Sequence, residues 1–160
     1  MTALTRRYHF SASHRLHSPA LSATENARVF GKCNNPFGHG HNYVLAVTVA
    51  GLPNPASGLI VPLPALDRFV TDRVLRVFAH RNLNLDVPQF ARLIPTTENM
   101  ALVIADLLAE HWSAGFPHLQ ARLAGVHIQE TDRNGFEVLL SKRPRASVPR
   151  LENESIIVHA

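Results

Sequence analysis

The stretch HNYVLAVTVAGL, residues 41–52, decides the fold, because its β-branched and aromatic residues occupy both of the alternating positions. This pattern is typical of a strand that is covered on both faces. Nearer the N-terminus, RRYHFSASHRL at residues 6–16 alternates more strictly, and one parity is formed by Tyr8, Phe10, Ala12 and His14. Strict alternation predicts a second strand that has one buried face.

The segments that follow these strands contain residues that interrupt regular structure. Residues 18–40 predict an irregular loop, because they include Gly31, Pro36, Gly38 and Gly40. After the second strand, PNPASG at residues 53–58 predicts a turn. A different kind of element is therefore expected beyond residue 58.

Two helices are predicted in the middle of the chain. The first should end near His80 and carries apolar residues at helical spacing: Leu66, Phe69, Val70, Val74, Val77 and Phe78. The second begins at PTTEN, residues 95–99, where the Thr96 side chain can cap the helix. Trp112 and Gly115 mark the end of this second helix.

Two strands complete the pattern, at LAGVHIQET, residues 123–131, and at FEVLLS, residues 136–141. Asn134 and Gly135 lie between them and favour a two-residue hairpin turn. The element order is therefore ββααββ, which predicts an α+β fold.

Composition limits the function classes. The 160 residues are 46% hydrophobic and predict one domain over residues 1–160, with a loose basic tail from about residue 142. The net charge of +4 comes from scattered arginines without interleaved aromatic residues, so nucleic acid is not the expected partner. No apolar run approaches the roughly 18 residues of a membrane span, and the single cysteine suits a reducing compartment, so we expect a cytoplasmic protein without a membrane partner.

The ten histidines include a candidate metal site. His39 and His41 are two apart at the start of a strand, so both side chains point to the same face and can share one Zn²⁺. His14 ends the first strand and supplies a third nitrogen if the two strands pair antiparallel. A His-x-His can also be two ordinary histidines, and this alternative stays open at the level of the residues.

Cys33 is the only cysteine and lies six residues before His39. Its thiol can be a fourth zinc ligand, a buried apolar residue, or a catalytic nucleophile or base. Lys32 precedes it, and a nearby cation favours the thiolate. The spacing alone leaves all three roles open.

Five segments together resemble the 6-pyruvoyltetrahydropterin synthases, which are tunnelling-fold enzymes. In chain order they are FSASHRL, FGKCNNPFGHGHNY, AHRNLNLDVP, PTTEN and QETDRNG, and they span most of residues 8–140. The resemblance implies a four-stranded antiparallel sheet with two helices on one face. It also implies that several copies, a hexamer in this family, close a barrel with sites at the subunit interfaces.

The resemblance assigns roles to particular positions. The zinc ligands of the family fall on His14, His39 and His41, and its catalytic residues fall on Cys33 and His80. Glu130 falls on the residue that anchors the pterin. Thr96 and Thr97 match positions that line the same pocket, although the sequence allows a plain helix cap as well.

The reaction implied is loss of triphosphate from 7,8-dihydroneopterin triphosphate, with Zn²⁺ as the only cofactor. A related branch, the 6-carboxytetrahydropterin synthases of queuosine biosynthesis, uses the same substrate. The five residues between Cys33 and His39 favour the pyruvoyl enzymes, because the carboxy branch often has three. Ala79 stands where the family has an aspartate beside His80, and this departure raises a third hypothesis, a pterin-binding relative with weak catalysis.

Overall fold

The computed structural model describes residues 2–140, and the basic tail expected from about residue 142 lies outside them. Four strands form one antiparallel sheet in the order β1-β2-β3-β4. They are β1 (Thr2–His14), β2 (His39–Gly51), β3 (Arg122–Gln129) and β4 (Gly135–Leu139). The helices between β2 and β3 complete the ββααββ order, so the predicted α+β class is confirmed.

The register of the first two strands sets the position of the histidines. His14 pairs with His39, and Ala12 pairs with His41. Side chains directly opposite each other in an antiparallel pair point to the same face, so all three imidazoles lie on one side of the sheet. That side is the buried one, since the predicted parity of β1 is buried: Tyr8, Phe10, Ala12 and His14.

The connection between β1 and β2 is not the irregular loop that the glycines predict. It contains helix α1 (Ala23–Phe30) and a 3₁₀ turn (Gly31–Asn34). Helix α1 begins with a capping box, in which the Ser22 hydroxyl accepts from the Glu25 N–H at 3.2 Å and the Glu25 carboxylate accepts from the Ser22 N–H at 2.9 Å. The prediction was wrong because the glycines lie only after the helix.

The first predicted helix is a run of three pieces: α2 (Leu63–Val70), a π-helical turn (Thr71–Leu75) and α3 (Arg76–Phe78). It ends at Phe78, two residues before the predicted end. A short helix α4 (Leu83–Asp86) follows, and then α5 (Thr97–Gly115). As predicted, Thr96 caps α5, since its hydroxyl accepts from the Asn99 N–H at 3.2 Å.

The last hairpin differs from the predicted two-residue turn. Its loop spans residues 130–134, and the Glu130 N–H donates to the Asn134 carbonyl at 3.0 Å. Gly135 opens β4 without a positive φ. A Cβ at Gly135 would lie 2.6 Å from His127 Nε2, so the glycine makes room for a cross-strand side chain instead of forming the turn. The longer loop places Glu130 directly after β3.

The helices and the buried face of the sheet enclose one apolar core. Side chains with no exposed surface include Leu45 and Val47 of β2, Leu66 of α2 and Ile104 of α5. Within residues 2–140, no helix combines the length and the apolar character that crossing a membrane requires. The three histidines lie at one end of this core, where β1 ends and β2 begins.

Candidate active site

The three histidines predicted as metal ligands converge in the structure. His14 Nε2 and His39 Nε2 are 3.2 Å apart, and one ring nitrogen from each of His14, His39 and His41 lies within 4.8 Å of the others. Nitrogens about 2.0–2.1 Å from a shared Zn²⁺ in tetrahedral geometry are separated by about 3.3 Å. The separation of His14 Nε2 from His39 Nε2 has this length, and a His41 ring nitrogen completes the cluster within 4.8 Å.

The surroundings of these imidazoles fit a metal. The His14 Nδ1 atom lies 2.8 Å from the Pro95 carbonyl, which fixes Nδ1 as the donor and leaves the Nε2 lone pair facing the cluster. Among residues 2–140, nothing hydrogen-bonds the buried His39 Nδ1 and His41 Nε2 atoms. Buried nitrogens without partners are costly in a fold, and His41 Nε2 is one that a cation would satisfy.

Electrostatics keep two of these imidazoles neutral. Burial lowers the pKa of His14, and the neighbouring His39 and His41 lower it further, although the Pro95 carbonyl acts in the opposite direction. Burial and His41 also lower the pKa of His39. A neutral imidazole is the form that binds a metal, so the site favours the ligand form at neutral pH.

Glu130 lies beside the histidine cluster. Its Oε1 atom is 3.7 Å from His41 Nε2 and 3.9 Å from His14 Nε2, and it accepts a hydrogen bond from the Thr97 hydroxyl at 2.5 Å. The Glu130 side chain keeps 14% of its surface exposed. A partly exposed carboxylate has acceptor capacity left for a ligand.

The two adjacent threonines have different contacts. Thr96 uses its hydroxyl as the N-cap of α5, which is the helix-cap alternative. Thr97 is 3% exposed and points to Glu130 instead. The structure therefore brings Thr97 into the candidate site, whereas a ligand contact for Thr96 stays a prediction.

Cys33 lies half-buried in the 3₁₀ turn that follows α1. Burial raises the pKa of its thiol, and the Glu130 carboxylate raises it further. The expectation that Lys32 would favour the thiolate is therefore wrong, because the nearby negative charge and partial burial act against it. A thiol with a raised pKa needs a base or a close cation to become a thiolate, and only the thiolate can accept a proton.

His80 lies two residues after the end of helix α3. It is exposed and has a φ of 60°, and its N–H donates to the Ser11 carbonyl at the edge of β1. With Ser11, His41 and Asn42 it lines a cleft of about 350 Å³, whereas Lys32 and His39 line another of about 570 Å³. Cys33 lines neither of these two clefts.

Asp72 and Asp86 are the acids nearest to His80 in the sequence on either side, and both are engaged elsewhere. Asp72 lies 3.3 Å from the Arg76 guanidinium, and the Asp86 carboxylate accepts from the Asn82 N–H at 2.8 Å. Ala79 itself ends α3 in an extended conformation, with φ −66° and ψ 131°.

Tyr43 is a residue of the site that the sequence reasoning missed. Its ring centroid lies 5.5 Å from that of His41 and 6.4 Å from that of His14. The available signal was its parity, since residues 39, 41 and 43 of β2 share one face. The strand pattern by itself gives this tyrosine no role beyond forming β2.

A comparison with solved structures shows the class of fold. The structure of the 6-pyruvoyl tetrahydropterin synthase of Caenorhabditis elegans superimposes with a TM-score of 0.75 and 39% identity, over 86% of this chain and 94% of that one. The fold is therefore the tunnelling fold, as the sequence predicts.

The sequence comparisons give the family. The family model for 6-pyruvoyl tetrahydropterin synthase matches residues 3–140. The 6-pyruvoyl tetrahydrobiopterin synthase of Homo sapiens is 45% identical over 131 residues, which cover 82% of this chain and 86% of that protein. The enzyme of the same name from Drosophila melanogaster is 48% identical over 131 residues, or 82% and 75% of the two chains. The chain belongs to the 6-pyruvoyl tetrahydropterin synthase family.

Proposed function

We propose that this protein is a zinc-dependent lyase that eliminates triphosphate from 7,8-dihydroneopterin triphosphate. The observation that carries the proposal is the pairing of a three-histidine cluster with the Glu130 carboxylate at 3.7 Å from His41. The histidine cluster suits a metal, and the Glu130 carboxylate suits the ring of a pterin. The family membership supports the same reaction class.

Glu130 is the proposed anchor of the pterin ring. The amino group and the adjacent ring N–H of a pterin are two parallel donors, and a carboxylate can accept from both. The Thr97 hydroxyl, 2.5 Å from Oε1, holds the carboxylate in one orientation. Side-chain atoms of a pterin that is anchored on Glu130 would then lie close to the histidines.

His14, His39 and His41 are the residues that would hold Zn²⁺. Bound there, the ion would supply Lewis acidity that makes the neighbouring C–H and O–H protons of the substrate easier to remove. The hydrogen bond between His14 Nδ1 and the Pro95 carbonyl orients one of its ligands. We propose zinc as the metal because three imidazoles are a donor set that suits Zn²⁺ well.

Cys33 and His80 are the proposed proton carriers. Burial and the Glu130 carboxylate raise the pKa of the Cys33 thiol, so the thiol needs a base before it can carry a proton. His80 is exposed at the edge of β1, where a second copy of the chain can reach it. We therefore assign His80 to the Cys33 site of a neighbouring copy in a homo-oligomer, a hexamer by family resemblance.

The test of this function is the product. The purified protein, loaded with zinc, is incubated with 7,8-dihydroneopterin triphosphate, and the products are identified by mass spectrometry. We expect free triphosphate and a pterin with a pyruvoyl side chain. A carboxylated pterin would instead place the chain in the 6-carboxytetrahydropterin branch, and unchanged substrate would reject the enzyme proposal.

Glu130→Gln is expected to weaken pterin binding by about 1.5 to 3 kcal/mol, because a neutral amide replaces the charged acceptor. The measurement is a fluorescence titration with neopterin, whose ring carries the same donors. Glu137→Gln is the matched control, since Glu137 is an exposed residue of β4. Equal affinities of the two variants would refute the anchor role.

Ala79 supports a second candidate function, a pterin-binding protein with weak catalysis, because the residue beside His80 carries no carboxylate. If His80 takes part in chemistry, Ala79→Asp should orient its imidazole and raise turnover roughly tenfold. Asparagine has nearly the same shape as aspartate but carries no charge, so Ala79→Asn should raise turnover less than Ala79→Asp does. If neither variant changes the rate while the parent enzyme is active, no such relay operates.

A further inference from the structure

The Tyr43 side chain lies beside the three-histidine cluster and is buried in the core. It has no exposed surface, and its ring stacks on Phe10 with centroids 5.2 Å apart. On the other side it lies against the His41 and His14 rings. Packing of this kind fixes the ring, so the direction of its hydroxyl is also fixed.

The hydroxyl of Tyr43 is buried, and no well-formed hydrogen bond reaches it from residues 2–140. Burial raises the pKa of Tyr43, the Glu130 carboxylate raises it further, and the Thr97 side chain lowers it. Tyr43 and Glu130 have two neighbours in common: the Tyr43 ring lies against the His14 and His41 rings, and Glu130 Oε1 is 3.9 and 3.7 Å from the Nε2 atoms of these histidines. Thr97, which is bonded to Glu130, belongs to the same cluster. A buried O–H without an acceptor destabilises a fold, and a core strand position could carry phenylalanine instead.

The donors and acceptors at this point are complementary. A threonine hydroxyl has one hydrogen, and the Thr97 hydrogen is used for Glu130 at 2.5 Å. The Thr97 oxygen can then only accept further bonds. Tyr43 offers a donor that lacks an acceptor, while Thr97 offers an acceptor that can take one.

We propose that Tyr43 is a positioning residue of the pterin anchor: its hydroxyl donates to Thr97, and Thr97 donates in line to Glu130. This inference rests on the proposed function, in which Glu130 binds the pterin ring. In such a chain each bond polarises the next, so the Thr97 O–H becomes a stronger donor to the carboxylate. The carboxylate is held in one rotamer, and its remaining lone pairs face the ligand.

The first experiment is a titration of Tyr43→Phe with neopterin. Loss of the relay should weaken binding about five- to tenfold, since one hydrogen bond of ordinary strength acts through Thr97. The zinc content should not change. The control is Tyr8→Phe, which removes the hydroxyl that donates to Asp67 Oδ1 at 3.0 Å and should leave affinity unchanged.

A double-mutant cycle separates a relay from a structural role. Thr97→Val should weaken neopterin binding more than Tyr43→Phe does, and adding Tyr43→Phe to Thr97→Val should cause no further loss. Additive losses would overturn the relay, because the two hydroxyls would then act independently. A lower unfolding temperature of Tyr43→Phe with unchanged affinity would also overturn it.

A second measurement does not depend on the folding of Tyr43→Phe. The chain has two tyrosines, so Tyr43 is the only one in the Tyr8→Phe protein. Its ultraviolet resonance Raman bands should report a donated hydrogen bond with neopterin bound, and Thr97→Val should abolish that signature. An identical spectrum in both proteins would overturn the inference. If the unchanged protein binds no neopterin, the proposed function fails and the inference fails with it, whereas binding that Tyr43→Phe leaves intact overturns the relay alone.

Discussion

Replacing His39 by alanine is expected to empty the metal site and to lower kcat by more than about a hundredfold, because even outer partners of a metal ligand contribute that much. His39 Nε2 lies 3.2 Å from His14 Nε2, so its loss leaves two nitrogens, and two do not hold a catalytic zinc. The measurement is elemental analysis of zinc per chain, together with the rate of triphosphate release.

The matched control is His9→Ala. His9 lies on β1, as His14 does, but on the opposite face of the sheet, where it is exposed. This variant should keep one zinc per chain and its activity. Full zinc occupancy in His39→Ala would contradict the assignment of the ligands.

Replacing Cys33 by alanine is expected to lower kcat by about a hundredfold to ten-thousandfold, the range that a general acid or base supplies. Zinc content and neopterin affinity should barely change, because the thiol is not one of the clustered ligands. Since Cys33 is the only cysteine, alkylation of the unchanged protein gives an independent test. An alkylated protein that keeps its rate would remove the thiol from the mechanism.

The assignment of His80 to the Cys33 site of a neighbouring copy can be tested with the same variant. Copies with Cys33→Ala and copies with His80→Ala should each be inactive alone. After mixing and reassembly, some interfaces would combine an intact Cys33 with an intact His80, and activity should return. If mixing restores nothing, His80 does not serve the site of a neighbouring copy.

Much of the fold follows from alternation and helical spacing. Tyr8, Phe10 and His14 share a parity, and a sheet with one face against helices has to bury them together. The same rule placed His39 and His41 on one side, and the antiparallel register then added His14. The three-histidine cluster was therefore predictable, because it depends on a period of two residues and on one pairing.

Other features were not predictable from such patterns. Helix α1 depends on a side-chain exchange between Ser22 and Glu25, and the glycines nearby obscured it. Gly135 leaves space for the His127 side chain, and the turn propensity of Asn-Gly gives no information about that contact.

Within the site, the sequence placed residues better than it predicted their environment. The pKa of Cys33 is set by partial burial and by Glu130, which is 97 residues away in the chain, and the adjacent Lys32 does not dominate it. The position of His80 depends on the pairing of residues 80–82 with the edge of β1. Long-range contacts of this kind have no local signature in the sequence.

The most direct test of the central claim is a crystal structure of the zinc-loaded protein with neopterin, with diffraction data recorded on both sides of the zinc absorption edge. We expect one anomalous peak per chain, about 2.0–2.1 Å from a ring nitrogen of each of His14, His39 and His41. The amino group and ring N–H of the pterin should donate to Glu130. A zinc peak away from these three histidines, or a pterin bound without Glu130, would contradict the account.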